Sequence, residues 1–409
     1  MTPRTHQAQS AESSALRGYV DFCVEHVTAI VRQIGPRPPG SDAEARAQGY
    51  LADLLRPFAA DVQLEPFSLA PKAFMGFVPI TGGLLLAAVA LYAFVPPLAL
   101  LCVIGAIALL VGELGLYRQL IDPLFPHATS HNLVATIPPS GSVERILLFG
   151  GHCDSAWEWR WHYLGHTAFR VIVGGAVVGA VIALAATLLN LVAPASRAAL
   201  ALGWVLVAFS PFFLLLMGFT NFRRVSPGAN DNLTGVLLSV ALAKHLHDQG
   251  RTLEHTEIRI LNTGSEEAGL RGARAYAERH REELAKTPSL YVAVDTFRDL
   301  EHMAVYDRDL NGFLHHDRDA AKLLAEAARR AGHPLPLRAL PLGATDAAAF
   351  TKAGLRAIAL LAMDPAPPRW YHTRLDTPEL LKPECIEAGL RVMLELIRTV
   401  DSEGLGAGS

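Results

Sequence analysis

The chain has 409 residues, 51% of them hydrophobic and only 18% charged, with a formal net charge of -3 and a mean hydropathy of +0.26. So apolar a composition excludes an ordinary soluble enzyme and puts part of the chain in lipid. With no basic surplus to neutralise phosphates, a nucleic-acid partner is excluded as well.

The N-terminal segment MTPRTHQAQSAESS lacks the apolar core of a signal peptide and leads into an amphipathic helical pattern over residues 15–34. Residues 74–112 contain no charged side chain, and Val95-Pro96-Pro97 breaks them in two. A span needs about 20 apolar residues, so this stretch predicts two membrane helices joined by a turn. Residues 171–222 form a second such region, interrupted only by Arg197 in the polar segment APASR. Four spans in two hairpins return every other segment to one side, as a single folded domain requires.

The remaining segments alternate in the α/β manner. Strands are predicted over 145–151 (RILLFGG), 257–262 (EIRILN), 290–294 (LYVAV) and 355–361, and helices over 235–246, 272–284, 312–331 and 379–400. Metal-competent side chains stand where these strands run out: His152 and Asp154 after the first, Glu266 and Glu267 after the second, Asp295 after the third. The carboxyl ends of strands in an open α/β sheet form the ligand crevice. Asp231 in the turn-rich SPGANDNLTG and His372 in RWYHTRLDTPE complete the candidate set. Two imidazoles and three carboxylates suit two zinc ions sharing one bridging carboxylate. Taken singly, Asp231 reads equally as a turn residue, Asp154 or Asp346 as a helix N-cap, and the Glu266-Glu267 pair as a solvated helix start. His162, His166, His245, His247, His315 and His316 have no partner spacing and read as surface residues. The four cysteines, Cys23, Cys102, Cys153 and Cys385, have neither CxxC pairing nor framework spacing and read as free thiols in a reducing compartment.

These motifs resemble those of the M28 zinc aminopeptidases, a family that also includes glutaminyl cyclases. The resemblance rests on Gly151-His152-Cys153-Asp154-Ser155, Gly228-Ala229-Asn230-Asp231-Asn232, Glu266-Glu267-Ala268-Gly269-Leu270-Arg271-Gly272 and Tyr371-His372-Thr373 with Asp376-Thr377. Gly35-Pro36-Arg37-Pro38-Pro39-Gly40-Ser41 and Ser130-His131-Asn132-Leu133-Val134 are similar to its upstream elements. The resemblance implies a mixed central sheet flanked by helices, here with the four membrane helices inserted. It implies one metal held by His152, Asp231 and Asp295 and another by Asp231, Glu267 and His372, with two zinc ions or other divalent metals as cofactors. It further implies Glu266 as general base, Asp154 as the carboxylate orienting His152, and Tyr371 as a hydrogen-bond donor to the developing oxyanion. Asp346 in GATDAAAF departs from the family pattern at Thr345 and Ala347, and VDTFR departs from it after Asp295.

The expected organisation is catalytic residues 1–73, hairpin 74–117, catalytic residues 118–170, hairpin 171–222 and catalytic residues 223–409. The aromatic cluster Trp157 to Tyr163 before the second hairpin reads as an interface anchor, the alternative being an active site that opens near the bilayer surface. Lys72, Arg118, Arg170, Arg223 and Arg224 flank the catalytic side and Arg197 the other, which predicts a multi-pass protein of a bacterial-type inner membrane with its catalytic domain and both termini in the cytoplasm. The expected activity is removal of N-terminal residues from a peptide, or cleavage of a close amide. Glutaminyl cyclisation at a single zinc and a non-catalytic membrane scaffold are the alternatives.

Overall fold

Regular elements begin with two amphipathic helices, α1 (Pro3–Gln33) and α2 (Asp42–Leu55), the second capped by the Ser41 hydroxyl accepting from the Glu44 N–H. The computed structural model describes residues 3–194 and 196–405. The strand β1 (Asp61–Leu69) follows, then the apolar pair α3 (Ala73–Leu91) and α4 (Pro96–Leu109), then β2 (Ala128–Ile137), β3 (Arg145–Gly150) and β4 (Trp157–Trp159). Next come α5 (Arg160–Leu164), the second apolar pair α6 (His166–Val192) and α7 (Arg197–Met217), β5 (Thr220–Val225), α8 (Thr234–Asp248) and β6 (Thr256–Asn262). The chain continues through α9 (Arg271–Arg279), α10 (Arg281–Lys286), β7 (Ser289–Phe297), β8 (Met303–Asp309), β9 (Leu314–His315) and α11 (Arg318–Arg330). It closes with β10 (Leu337–Ala339), α12 (Asp346–Lys352), β11 (Ala357–Ala362) and α13 (Pro383–Glu403).

The main sheet is mixed, in the order β1-β2-β6-β3-β7-β11-β8-β10, with β9 paired to β8. Its centre, β6-β3-β7-β11, is parallel, whereas β1 and β2 run antiparallel at one side. Both faces are covered. Val236, Leu237, Val240 and Leu390 pack beneath Leu147, Phe149, Val292 and Leu360, while Tyr276, Ala348 and Phe350 cover Leu148, Tyr291 and Leu361. Burial on both faces explains why the central strands read as continuous apolar runs. From β3 the chain goes out to β6 on one side and returns to β7 on the other, so a topological switch point falls at the carboxyl end of β3.

The four apolar helices are 14 to 27 residues long, and α4 continues through a turn to Gly115 to give a 20-residue apolar segment. All four are long and apolar enough to cross a membrane by length and composition. Trp204, Leu214, Leu101 and Val181 stand on their outer surface. Inside, small residues let helices approach closely. A Cβ added at Gly82 of α3 would lie 2.8 Å from the Phe213 carbonyl oxygen of α7. At the far turns Asn190 donates to the Tyr92 carbonyl (2.7 Å), and the Tyr92 hydroxyl donates to the Ala199 carbonyl (2.8 Å), tying the two hairpins together.

Several expectations are corrected. The helix expected over 272–284 breaks at His280 into α9 and α10. That expected over 312–331 starts at Arg318, because Leu310, Asn311 and Gly312 turn with positive φ and β9 intervenes, leaving Asp317 to cap the helix. His162, His245 and His316 are buried rather than surface residues. The His162 ring meets the Pro368 carbonyl at 2.8 Å, His316 lies 2.7 Å from the Thr351 hydroxyl, and His245 sits edge-on to Tyr19.

The close contact at Gly82 has a measurable consequence. Gly82→Val should destabilise the chain by about 1–3 kcal/mol through overpacking, read as a lower thermal midpoint in detergent. Gly83→Val, with nothing within 4 Å of its added Cβ, should leave that midpoint nearly unchanged.

Candidate metal centre

The candidate residues converge at the switch point. His152 follows β3 and bridges to Thr263 beyond β6, Glu266 and Glu267 follow β6, and Asp295 lies in β7. Asp231 sits in the turn before α8, its peptide bond to Asn232 cis, and His372 lies in the loop after β11. One Asp231 oxygen is 3.2 Å from His152 Nε2 and the other 3.1 Å from His372 Nε2. Glu267 Oε1 is 3.2 Å from His372 Nε2, and Glu266 Oε2 is 3.8 Å from His152 Nε2.

Ligand atoms of His152, Asp231 and Asp295 lie within 4.8 Å of one another, as do those of Asp231, Glu267 and His372. Asp231, with an oxygen towards each histidine, is shared by both groups. A third grouping, His152, Glu266 and Glu267, satisfies the same distance. The two groups joined through Asp231 use each of its oxygens once and leave Glu266 free. The donor set fits zinc, which takes imidazole nitrogen and carboxylate oxygen. Glu267 Oε1 is buried and faces the cluster, and its 3.2 Å approach to His372 Nε2 falls short of a well-formed hydrogen bond. A cation there would satisfy it.

The electrostatics agree. Burial pushes the Glu266 carboxyl well above its ordinary range, with His152 opposing and Glu267 adding to the rise. Burial and Asp231 lift Asp295 to about 7 against the pull of His152. Burial works against protonation of His372, but Glu267 and Asp231 outweigh it and carry the ring up to about 10. Carboxylates this crowded and desolvated call for positive charge.

Three site positions lie in left-handed backbone that non-glycine residues seldom adopt: Ser265 at φ 55°, Thr296 at 48° and His372 at 52°. Such strain persists where surroundings over-determine it. Glu44 accepts from the Ser265 N–H (2.6 Å) and from the Ser130 and Ser265 hydroxyls. The Asn232 carboxamide accepts from Thr296 N–H (3.1 Å) and donates to the Val294 carbonyl (3.0 Å), joining the Asp231 turn to the Asp295 strand. An added Cβ at Gly235 would fall 2.1 Å from that same carbonyl.

Asp154 is 3.4 Å from His152 Nδ1, yet each of its oxygens accepts a 3.0 Å hydrogen bond from the N–H of Glu266 or Glu267. It therefore holds the glutamate pair in place as well as flanking His152. Asp346 is buried at the start of α12 and accepts from the Thr263 hydroxyl at 2.5 Å, behind His152. Tyr371 stacks on His372 with ring centroids 3.8 Å apart, and burial with Asp231 and Glu267 raises its phenol far above its ordinary value. Trp159 meets His372 edge-on at 4.4 Å, and Trp157 is buried beside Phe222.

Sequence reasoning missed the supports. Asp376 accepts from the Asn230 N–H and carboxamide and the Asp231 N–H, fixing the turn that presents Asp231. Arg37, fully buried, donates to the carbonyls of Cys153, Pro227 and Gly228 and so links the His152 and Asp231 segments. Arg37 and Asp376 belong to quoted motifs that carried no role. Glu44 had no signal at all, since an acid in a first helical turn ordinarily reads as solvated.

Residues 213–397 match the model of Peptidase family M28, and the sequence matches no curated protein. Similar solved structures include BSAP, a zinc aminopeptidase from Bacillus subtilis (16% identity, TM-score 0.58, covering 93% of this chain and 95% of that one). The aminopeptidase from Aneurinibacillus sp. strain AM-1 gives 16% identity, a TM-score of 0.56 and coverage of 93% and 94%. A Bacteroides thetaiotaomicron glutaminyl cyclase bound to N-acetylhistamine gives 15%, 0.55, 92% and 97%. The likeness places the fold with zinc aminopeptidases, and the family match covers Asp231, Glu266, Glu267, Asp295 and His372.

Glu44 supplies a pH test. Burial, with Asp154 adding, lifts its carboxyl from 4.5 to about 8. The folded chain then holds a proton that the unfolded chain releases, so stability falls as pH rises between these values, by about 1 kcal/mol per pH unit. Denaturant titrations at pH 5.5 and 7.5 should show this loss in the wild type and a smaller one in Glu44→Gln.

Proposed function

Starting from a chain whose residues 213–397 match the model of Peptidase family M28, we propose that it is a membrane-embedded zinc metallopeptidase cleaving N-terminal peptide bonds or close amides. The observation that carries this reading is the two-sided placement of Asp231 between His152 and His372, with Asp295 and Glu267 completing the two groups. His152, Asp231 and Asp295 would hold one zinc ion and Asp231, Glu267 and His372 the other. Bound zinc would supply Lewis-acid polarisation of the scissile carbonyl and make water more acidic. Glu266, next to both groups and required by neither, takes the proton of the attacking water and delivers it to the leaving amine. Tyr371 keeps its proton and donates to the carbonyl oxygen as negative charge develops there. Asp154 keeps the glutamate pair in register.

In this reading the catalytic domain is assembled from residues 1–73, 118–170 and 223–409, with hairpins 74–117 and 171–222 crossing the bilayer. Positive side chains at the domain ends of the helices support a cytoplasmic domain. The terminal residues of that topology, and Ala195 in the far connection, lie outside the described residues.

Glu266→Gln should lower kcat on an aminoacyl reporter by 10²- to 10⁴-fold, the span of a lost general base, with metal content unchanged. Glu267→Gln should instead reduce bound zinc from about two ions per chain, as elemental analysis would show. A single tightly bound ion in the wild type would favour cyclase chemistry. For topology, a cysteine at Ala193 should be labelled by an impermeant maleimide in intact cells and one at Ser402 only after lysis. The reverse pattern places the domain outside.

A further inference from the structure

The metal cluster opens into a cavity of about 250 Å³ that continues between the apolar helices. His152, Glu266 and His372 stand at one end, and Thr81 and Leu85 of α3 face Ala180 of α6 at the other. Eleven residues separate Phe169 from Ala180 along α6, about 16 Å at the helical rise. No lysine or arginine lines this space among the described residues, so away from the histidines of the cluster no cationic side chain there pairs with a substrate carboxylate. Nearer the cluster the lining includes the loop residues 340–345, 363, 365 and 367, whereas the inner part is walled by α3 and α6, whose backbone groups bond within themselves, and offers the Thr81 hydroxyl. A peptide main chain laid in it would lose its water hydrogen bonds without replacement, at a cost per group that apolar contacts do not recover. An alkyl chain has no such cost. Val177 lines the cavity yet is 52% exposed on the outer face, beside Val178 and Val181, which opens the cavity sideways onto the apolar belt.

We propose that the substrates are membrane-borne amides with a long unbranched alkyl chain, the chain lying between α3 and α6 and the amide carbonyl at the metal cluster. This rests on the amide-hydrolysing reading above. The reaction breaks the C–N bond, water's hydroxyl going to the acyl carbon and its proton to the amine nitrogen, with no redox partner. The chain can belong to either side of the amide.

The test uses the zinc-loaded full chain in lipid nanodiscs and two series, N-acylglycines from acetyl to tetradecanoyl and alanyl-alkylamides of the same lengths. In one series kcat/KM, referred to the free aqueous concentration of substrate, should rise by about fourfold per methylene until the cavity fills, the value of removing one CH₂ from water. The rising series identifies the side of the amide that carries the chain. Ala180→Phe, at the inner end, should flatten the rise at long lengths while cleavage of the short members is kept, and Leu85→Trp serves if that variant does not fold. Independently of turnover, tetradecanoylglycine should bind wild type at least tenfold more tightly than Ala180→Phe in the same nanodiscs. If no amide is cleaved but this binding difference holds, the hydrolytic reading falls and the alkyl site stands. Flat dependence on chain length in both series, or cleavage of a leucine-rich peptide faster than every alkyl amide, overturns the proposal.

Discussion

Crowding of carboxylates away from water is the constraint on which the rest of the structure depends. Asp231, Asp295, Glu266 and Glu267 share one space, with His152 and His372 among them to offset the charge. Like charges at these separations repel strongly once desolvated. The fold resists that repulsion with a second layer of polar groups: Asp154 on the glutamate N–H groups, Asp376 on the Asp231 turn, Asn232 between that turn and β7, and Glu44 on Ser265. Each closes on backbone, so moving one site residue means breaking hydrogen bonds to another segment.

The sheet explains why these segments meet. Parallel strands β3, β6 and β7 deliver their carboxyl ends to one edge, and the reversal of strand order beside β3 leaves a gap there. His152, the glutamate pair and Asp295 are what the chain places at that gap. The left-handed residues Ser265, Thr296 and His372 turn the chain sharply where a strand ends, which aims side chains that a relaxed turn would direct elsewhere.

The apolar helices are more than an attachment. Trp159 belongs to the strand pair β4-β5 at the base of α6 and α7, and it touches both His372 and Phe169. The apolar helices and the candidate metal site thus share a wall. The cavity that follows from this gives the interior of the bundle a part in what reaches the cluster.

Much of this was legible in the order of residues. Uncharged stretches long enough to span a bilayer declare themselves by composition alone. Strands buried on both faces are short apolar runs, and the polar groups at their ends, from His152 to Asp295, are conspicuous because the runs stop so abruptly. The breaks at His280 and Leu310 were not legible, since helical periodicity does not register a local change of φ. Nor were Glu44, Arg37 and Asp376: a buried charge is defined by partners from distant segments, 221 positions away for Glu44 and Ser265. Sequence thus determined which residues could do the chemistry and which could enter lipid. Only the tertiary structure decided that the two regions adjoin, because that depends on packing α3 and α6 over the end of the sheet, a contact no local pattern encodes.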